Sequence, residues 1–244
     1  MPAWIAFLPL LAALAPQGGS APADLEIRDL KRGSGRAVEK GDFVTVLYKG
    51  QLEDGRVFDS SEKKPPFVVQ VGAGKVIPGW EQGLLGMKTG GKRRLVIPPA
   101  LAYGDRDLGV IPPNSTLIFE IEVLRIERSS DDPKVETRIL RKGEGKDVVT
   151  EGDTVGVHYR GTFLNGVPFD NSYDRDEPLA VEVGKTGLIK GFTQGLIGMK
   201  LKEKRRIVIP SKLGYGENPR GPIPAHSTLV FELELVRLTK KVSE

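Results

Sequence analysis

Apolar and polar residues alternate along three stretches of this chain. In FVTVLYKG (43–50), Phe43, Thr45 and Leu47 fall on one face of a strand and Val44, Val46 and Tyr48 on the other. STLIFEIEVLRI (115–126) and STLVFELELVRL (227–238) alternate in the same way and predict two further strands. A helical period appears only in two short segments, Gly79–Met87 and Gly191–Met199. In the first, Trp80, Leu84 and Met87 stand at i, i+4 and i+7, which predicts a short helix with one apolar face. Asp54-Gly55 and Asn165-Gly166 are two-residue hairpin signals. Gly33-Ser34-Gly35 and Gly143-Glu144-Gly145 predict tight turns, because no GK[ST] and no helical pattern follows them. Antiparallel strands with one short helix packed on them make an α+β domain.

The pattern is written twice. YKGQLEDGRVFDSS (48–61) pairs with YRGTFLNGVPFDNS (159–172), and VIPGWEQGLLGMKTGGKRRLVIPPALAYG (76–104) with LIKGFTQGLIGMKLKEKRRIVIPSKLGYG (188–216). A period this long is a whole domain and not a solenoid unit of roughly 20–50 residues. The chain has 244 residues, and the repeat divides it into domains at 24–128 and 129–244. The polar segment Glu127–Lys134, which contains Pro133, reads as the linker.

The first 23 residues read as a signal peptide. Ala3–Ala15 is an uncharged apolar run, shorter than the roughly 20 residues a membrane-spanning helix needs. Ala21-Pro22-Ala23 then fits a small-x-small cleavage site, although no Lys or Arg precedes the run. The mature chain then begins near Asp24 and works outside the cytoplasm, as a periplasmic or secreted protein of a bacterium.

Composition removes several kinds of chemistry. Cysteine is absent, which excludes disulfides, thiol catalysis, thiolate metal sites and a lipid-anchored cysteine. The two histidines, His158 and His226, give no cluster for zinc, and no Ser-His-Asp set can be built in both copies. The net charge is +4, with 36 basic and 32 acidic residues interleaved, so nucleic acid is not expected as a partner. The runs Lys92-Arg93-Arg94 and Lys204-Arg205-Arg206 read as solvated strand edges.

The ordered motifs Y-x-G, D-G-x-x-F-D-S, V-I-x-G-W, A-Y-G, I-P-P and T-L-x-F resemble those of FKBP-type peptidyl-prolyl cis–trans isomerases, here in tandem. The resemblance implies two FKBP-like domains, each an antiparallel half-barrel wrapped around one short helix. It implies an apolar pocket between sheet and helix, no cofactor and no metal. Carried onto the first copy, that pocket comprises Tyr48, Phe58, Asp59, Phe67, Val76, Ile77, Trp80, Tyr103, Ile111 and Phe119. Trp80 becomes the floor, and Phe58, Phe67 and Phe119 the walls. The Ile77 N–H and the Tyr103 hydroxyl become donors to a bound peptide, and Asp59 the one carboxylate, bonded by Tyr48. Lys63 and Lys64 stand near the place of the family's basic residue.

The second copy keeps Tyr159, Phe169, Asp170, Arg175, Leu188, Ile189, Tyr215, Ile223 and Phe231. It has Phe192 for the tryptophan, Leu179 for a wall phenylalanine, and PIPA (222–225) for VIPP. Less aromatic area means a weaker grip on a proline ring, so the second pocket is expected to be weaker or differently tuned. The implied catalytic set is Tyr48, Phe58, Asp59, Ile77 and Tyr103, with Asp170 and Tyr215 in the second copy. The other pocket residues bind substrate. The implied partners are proline-containing, unfolded or partly folded polypeptides and macrolide inhibitors. The alternative is a chaperone module that holds proline segments, with the second domain weakly active or inactive. Without the resemblance, the aromatics read as ordinary core, and Asp59 and Asp170 as turn caps.

Overall fold

The computed structural model describes residues 24–185 and 187–242. The signal-peptide expectation falls on residues 1–23, outside the described residues. Strands β1 (Glu26–Lys31), β2 (Ser34–Ala37), β3 (Phe43–Leu52), β4 (Val57–Ser60) and β5 (Phe67–Gln70) precede helix α1 (Pro78–Leu84). Strands β6 (Lys88–Thr89), β7 (Lys92–Ile97) and β8 (Leu117–Glu127) complete the first domain. The second repeats the plan with β9 (Glu136–Arg141), β10 (Thr154–Phe163), β11 (Pro168–Asn171), β12 (Leu179–Glu182), α2 (Lys190–Leu196), β13 (Lys204–Ile209) and β14 (Leu229–Thr239). In place of the β2–β6 pair, Glu144 and Leu201 form a single bridge.

Each domain is built on one six-stranded antiparallel sheet. The first runs β1-β7-β8-β3-β4, with β5 also paired to β3; the second runs β9-β13-β14-β10-β11, with β12 paired to β10. The alternating strands β3 and β8 lie side by side, from Phe43 opposite Glu127 to Leu52 opposite Leu117, with an irregularity between Thr45 and Val46. Val44, Val46, Leu117, Phe119, Ile121 and Val123 face a core that Trp80, Leu84 and Met87 close from the helix side. The expected α+β domain, a sheet curled on one short helix, is therefore present twice.

Three local details differ from the sequence reading. Each helix stops three residues early: Leu85 leaves it with ψ 137°, Gly86 follows at φ +76°, and Met87 is buried from beyond the helix end. The hairpin loops hold three residues, not two. Leu52 N–H donates to Arg56 O (2.9 Å) and Gly55 N–H to Leu52 O (3.0 Å). Only Gly55 (φ +86°) is left-handed, whereas a two-residue type I′ turn needs positive φ at both central positions. Asp54 instead uses its carboxylate to accept from Arg56 N–H.

The third difference is a correction. The runs Lys92-Arg93-Arg94 and Lys204-Arg205-Arg206 are not solvated edges: β7 and β13 lie inside their sheets, and Arg93 and Arg205 are each only 8% exposed. Arg93 Nη1 donates to Gly83 O (2.7 Å) and Leu85 O (3.0 Å), and its Nε to Asp29 (2.6 Å). Arg205 does the same for Gly195 O and Ile197 O, with Glu203 as its carboxylate. A seven-residue helix has unpaired carbonyls at its C-terminus and cannot hold itself together alone. A cation placed there satisfies the carbonyls and suits the helix dipole. The middle arginine thus fixes the helix that carries Trp80 or Phe192. Close packing of helix on sheet also needs Gly83, where a Cβ would run into Leu95.

Candidate functional site

In the first domain, one cavity of about 730 Å³ opens between the sheet and α1. All ten residues singled out from the first copy line it: Tyr48, Phe58, Asp59, Phe67, Val76, Ile77, Trp80, Tyr103, Ile111 and Phe119. Trp80, buried on α1, stands edge-on to Phe119 (ring centroids 5.2 Å apart), Tyr48 (5.3 Å) and Phe67 (6.0 Å). Phe58 meets Phe119 at 5.5 Å. These are favourable edge-to-face contacts, so each ring is braced by another before any ligand arrives. Gly50 lets the two phenylalanines lie across β3, since a Cβ there would stand 2.7 Å from both rings. Ile77 is the N-cap of α1, where the backbone N–H has no intrahelical acceptor.

Asp59 is the carboxylate at the pocket wall. Tyr48 Oη donates to its Oδ2 (2.5 Å), Lys64 Nζ to its Oδ1 (3.0 Å), and Ser60 N–H to the same oxygen (2.8 Å). Burial pushes the Asp59 carboxyl up, but Tyr48, Lys64 and Ser60 outweigh that and hold it below the ordinary aspartate value. Burial, with Asp59 at hydrogen-bond distance, pushes the Tyr48 phenol well above its usual range. At neutral pH the pair is a neutral phenol donating to a charged, already engaged carboxylate.

The second domain has a smaller version. Tyr159, Phe169, Asp170, Leu188, Ile189, Phe192, Tyr215, Ile223 and Phe231, together with Leu179, line a cavity of about 330 Å³. Phe192 on α2 meets Phe231 at 5.1 Å and Tyr159 at 5.9 Å, and Phe169 meets Phe231 at 5.5 Å. Tyr159 Oη donates to Asp170 Oδ2 (2.5 Å). Here the cation is Arg175, placed by a 3-10 turn (Ser172–Arg175), with one guanidinium nitrogen on Asp170 (2.9 Å) and the other on Tyr159 Oη (2.8 Å). Burial again raises the Asp170 carboxyl, and Tyr159, Arg175 and Asn171 N–H again bring it below the ordinary value.

Several lining residues carry no motif. In the first domain these include Arg106, Leu108 and Val110, on the loop between the A-Y-G and I-P-P motifs. The Arg106 guanidinium lies 5.9 Å from the Tyr103 ring centroid. In the second domain Arg220 lines the pocket where the first has Leu108, and Arg220 and Ile223 bond each other's backbone in a tight turn. The first domain has the equivalent bond from Leu108 N–H to Ile111 O (3.1 Å), so the two loops differ here in the side chain at the mouth, Leu108 against Arg220. Glu81, in the first turn of α1, accepts from Gly74 N–H (2.9 Å) and Gly72 N–H, tying down the loop that leads to Val76 and Ile77. The second copy has Thr193 there. Among the described residues, no group of three or more His, Asp or Glu is placed to ligate a metal.

A family model described as FKBP-type peptidyl-prolyl cis-trans isomerase matches residues 34–124 and again 145–236. The chain is 39% identical over 203 residues to peptidyl-prolyl cis-trans isomerase FKBP9 of Homo sapiens, covering 82% of this chain and 35% of that protein. It is 40% identical over 204 residues to FKBP10 of Mus musculus, with the same coverage of each. The chain thus spans about a third of the length of these relatives. An FK506-binding protein 4 of Chaetomium thermophilum is 55% identical over 101 residues, 41% of this chain and 21% of that protein. The structure of the three FKBP domains of wheat FKBP73 aligns with a TM-score of 0.43 at 27% identity, covering 89% of this chain and 95% of that one.

Proposed function

The chain belongs to the FKBP-type peptidyl-prolyl cis-trans isomerase family, and on that premise we propose that it catalyses rotation of X–Pro peptide bonds in client polypeptides, with one site in each domain. The observation that carries this is the aromatic cavity over Trp80, whose carboxylate, Asp59, is already engaged by Tyr48 and Lys64.

X–Pro rotation breaks no covalent bond, so it needs no nucleophile and no general base. Its barrier is the lost resonance of a planar amide, about 18–20 kcal/mol. The planar amide has a large dipole that water solvates, and twisting reduces it. A pocket walled by Phe58, Phe67, Trp80 and Phe119 replaces that water with apolar surface, so it penalises the planar ground state more than the twisted form. That is selective stabilisation of the transition state. A 10⁵-fold acceleration corresponds to about 7 kcal/mol. In this reading the Ile77 N–H and the Tyr103 hydroxyl hold the peptide in a turn over the Trp80 floor. Asp59 supplies a fixed local field, and Tyr48 with Lys64 keeps it ionised.

The second domain carries the same set, Tyr159, Phe169, Asp170, Ile189, Phe192, Tyr215, Ile223 and Phe231, around a smaller cavity. We assign it the same reaction with a narrower choice of substrate. A purely holding module is not favoured, because both domains keep the tyrosine–aspartate pair and the aromatic walls. Proline-containing unfolded segments are the proposed clients, and macrolides that fill the same pockets the proposed inhibitors. Export, resting on the apolar run Ala3–Ala15, belongs to the same reading.

The test is X–Pro exchange measured by NMR on a short Phe-Pro peptide. The full chain is compared with the double variants Phe58→Ala/Asp59→Ala and Phe169→Ala/Asp170→Ala. Each double variant is expected to keep part of the catalysis. Combining the two pairs is expected to remove it, and full turnover in the combined variant would overturn the assignment.

A further inference from the structure

The loop that lines the second pocket is held from outside its own domain. Residues 211–228 leave β13, make the 3-10 turn Ser211–Leu213, present Tyr215, Arg220 and Ile223 to the cavity, and return at Thr228 to start β14. Both ends of this loop meet a carboxylate at the last residue of β8. Glu127 Oε2 accepts from Ser211 Oγ (2.7 Å) and Ser211 N–H (3.2 Å), and Glu127 Oε1 from Thr228 Oγ1 (2.7 Å). The Glu127 side chain is only 15% exposed, and Arg125 Nε holds it from behind at 3.0 Å. The other arm of Arg125 reaches Glu136 on β9 (2.8 Å). Two further contacts hold the same loop, one to the first domain and one to the segment that follows β8. His226 stacks on Phe43 with ring centroids 4.2 Å apart, and Lys212 Nζ donates to Ser129 O and Asp131 O.

The equivalent loop of the first domain, 99–116, has no such partner among the described residues. Pro99 stands where Ser211 stands and has no N–H to give, and Thr116 Oγ1 is buried with no hydrogen-bond partner among the described residues. Among the described residues the carboxylate socket is therefore seen in the second domain alone, and the first domain fills it.

We propose that Glu127 is a positioning residue for the second active site: the first domain, through this carboxylate, sets the loop that carries Tyr215, Arg220 and Ile223. Glu127 touches no substrate; it acts by joining the two feet of the loop. Charge-assisted hydrogen bonds at low exposure are the strong kind, so the two feet move together only while Glu127 is present. The inference rests on reading the second cavity as a proline site.

The experiment is an NMR titration of the full chain with a Phe-Pro peptide. The Ile189 and Ile223 amides report the second pocket, and the Ile77 and Ile111 amides serve as an internal control. Glu127→Ala is expected to weaken peptide binding at the second pocket about fivefold or more, the lower end of coupling between linked sites, with the first pocket unchanged. Glu127→Gln keeps the shape, loses the charge and is expected to fall between. It also serves if the alanine variant does not fold. Ser211→Ala is expected to weaken binding less than Glu127→Ala and to add little on top of it, because the two share one interaction. Amide exchange over 211–228 should quicken in Glu127→Ala, while that over 99–116 does not. A lower melting temperature with unchanged affinity at the second pocket overturns the proposal, as does equal loss at both pockets. No peptide-induced shift at Ile189 and Ile223 in the unaltered chain overturns the proline-site reading of that pocket and the proposal with it.

Discussion

The two pockets share a plan and differ in how they are held. The first is braced mainly within its own domain, with Trp80 against three rings, Glu81 tying the 72–76 loop, and Leu108 and Val110 at the mouth; one bond comes from the second, Asn165 Nδ2 to Lys64 O (2.9 Å). The second gives up ring area at Phe192 and Leu179 and sets Arg220 at its mouth, where the first has Leu108. It takes support from Arg175 inside and Glu127 outside. Aromatic area alone would rank the pockets by grip. The cavity volumes, about 730 and 330 Å³, show that the second is also narrower, so smaller rings there do not mean a larger hole.

The largest expected effect comes from removing the first floor. Trp80→Ala deletes a buried ring in contact with three others, a change that costs about 3–5 kcal/mol in a core. It should abolish peptide-induced shifts in the first domain and leave those in the second. Loss in both would show that the pockets are not independent on that side.

A second test compares the anchors of the central strands. Asp153, fully buried just before β10, accepts from Thr150 N–H, Thr150 Oγ1, Lys240 Nζ and Lys241 N–H. Asp153→Ala should destabilise the second domain by about 2–3 kcal/mol in a urea melt, since several charge-assisted bonds are lost together. Burial raises this carboxyl, yet the Lys240 ammonium and its other donors bring it far below the ordinary aspartate value. A carboxyl depressed on folding stabilises above the unfolded value of about 3.9, and that contribution fades as pH falls through the lower folded value. The midpoint of the unaltered chain should therefore drop as pH is taken below about 4, and that of Asp153→Asn should drop less. Equal acid sensitivity would assign the stabilisation elsewhere.

Macrolide affinity separates the pockets directly. A family macrolide should bind the first at least about tenfold more tightly, a difference of about 1.4 kcal/mol. Calorimetry on the two single-site double variants reads both constants, and the reverse order would break the comparison. The smallest effect is expected from the paired changes Tyr103→Phe and Tyr215→Phe. Each removes one hydroxyl donor, worth about 0.5–1.5 kcal/mol, and should slow X–Pro exchange at its own site only a few-fold.

Much of the fold and of the candidate site was legible because local pattern and motif agree. The alternation in 43–50 and 115–126 places β3 and β8, and the pocket residues carried over by resemblance line the two cavities, apart from Arg175, which reaches the second through Asp170 and Tyr159. What stayed hidden depends on partners far along the chain. Arg93 looks like part of a solvated charge run, and only the helix carbonyls of Gly83 and Leu85 explain its burial. Glu127 sits in a polar linker segment whose composition says nothing of Ser211 and Thr228, more than eighty residues away. The Arg220 turn has no signal beyond Pro219 and Gly221 on either side of it. The early end of the helix was signalled by Gly86, but Met87 stays buried and keeps the apolar spacing, which masks the stop.

The guanidinium of Arg93 also sets an order of events during synthesis. A chain grows from its N-terminus, so residues 78–84 leave the ribosome before the arginine that secures their last carbonyls. Until β7 is laid down, seven residues cannot sustain a helix by themselves, and the indole of Trp80 has nothing to rest on. A nascent chain halted short of position 93 carries the whole sequence of its first helix and no floor for a proline.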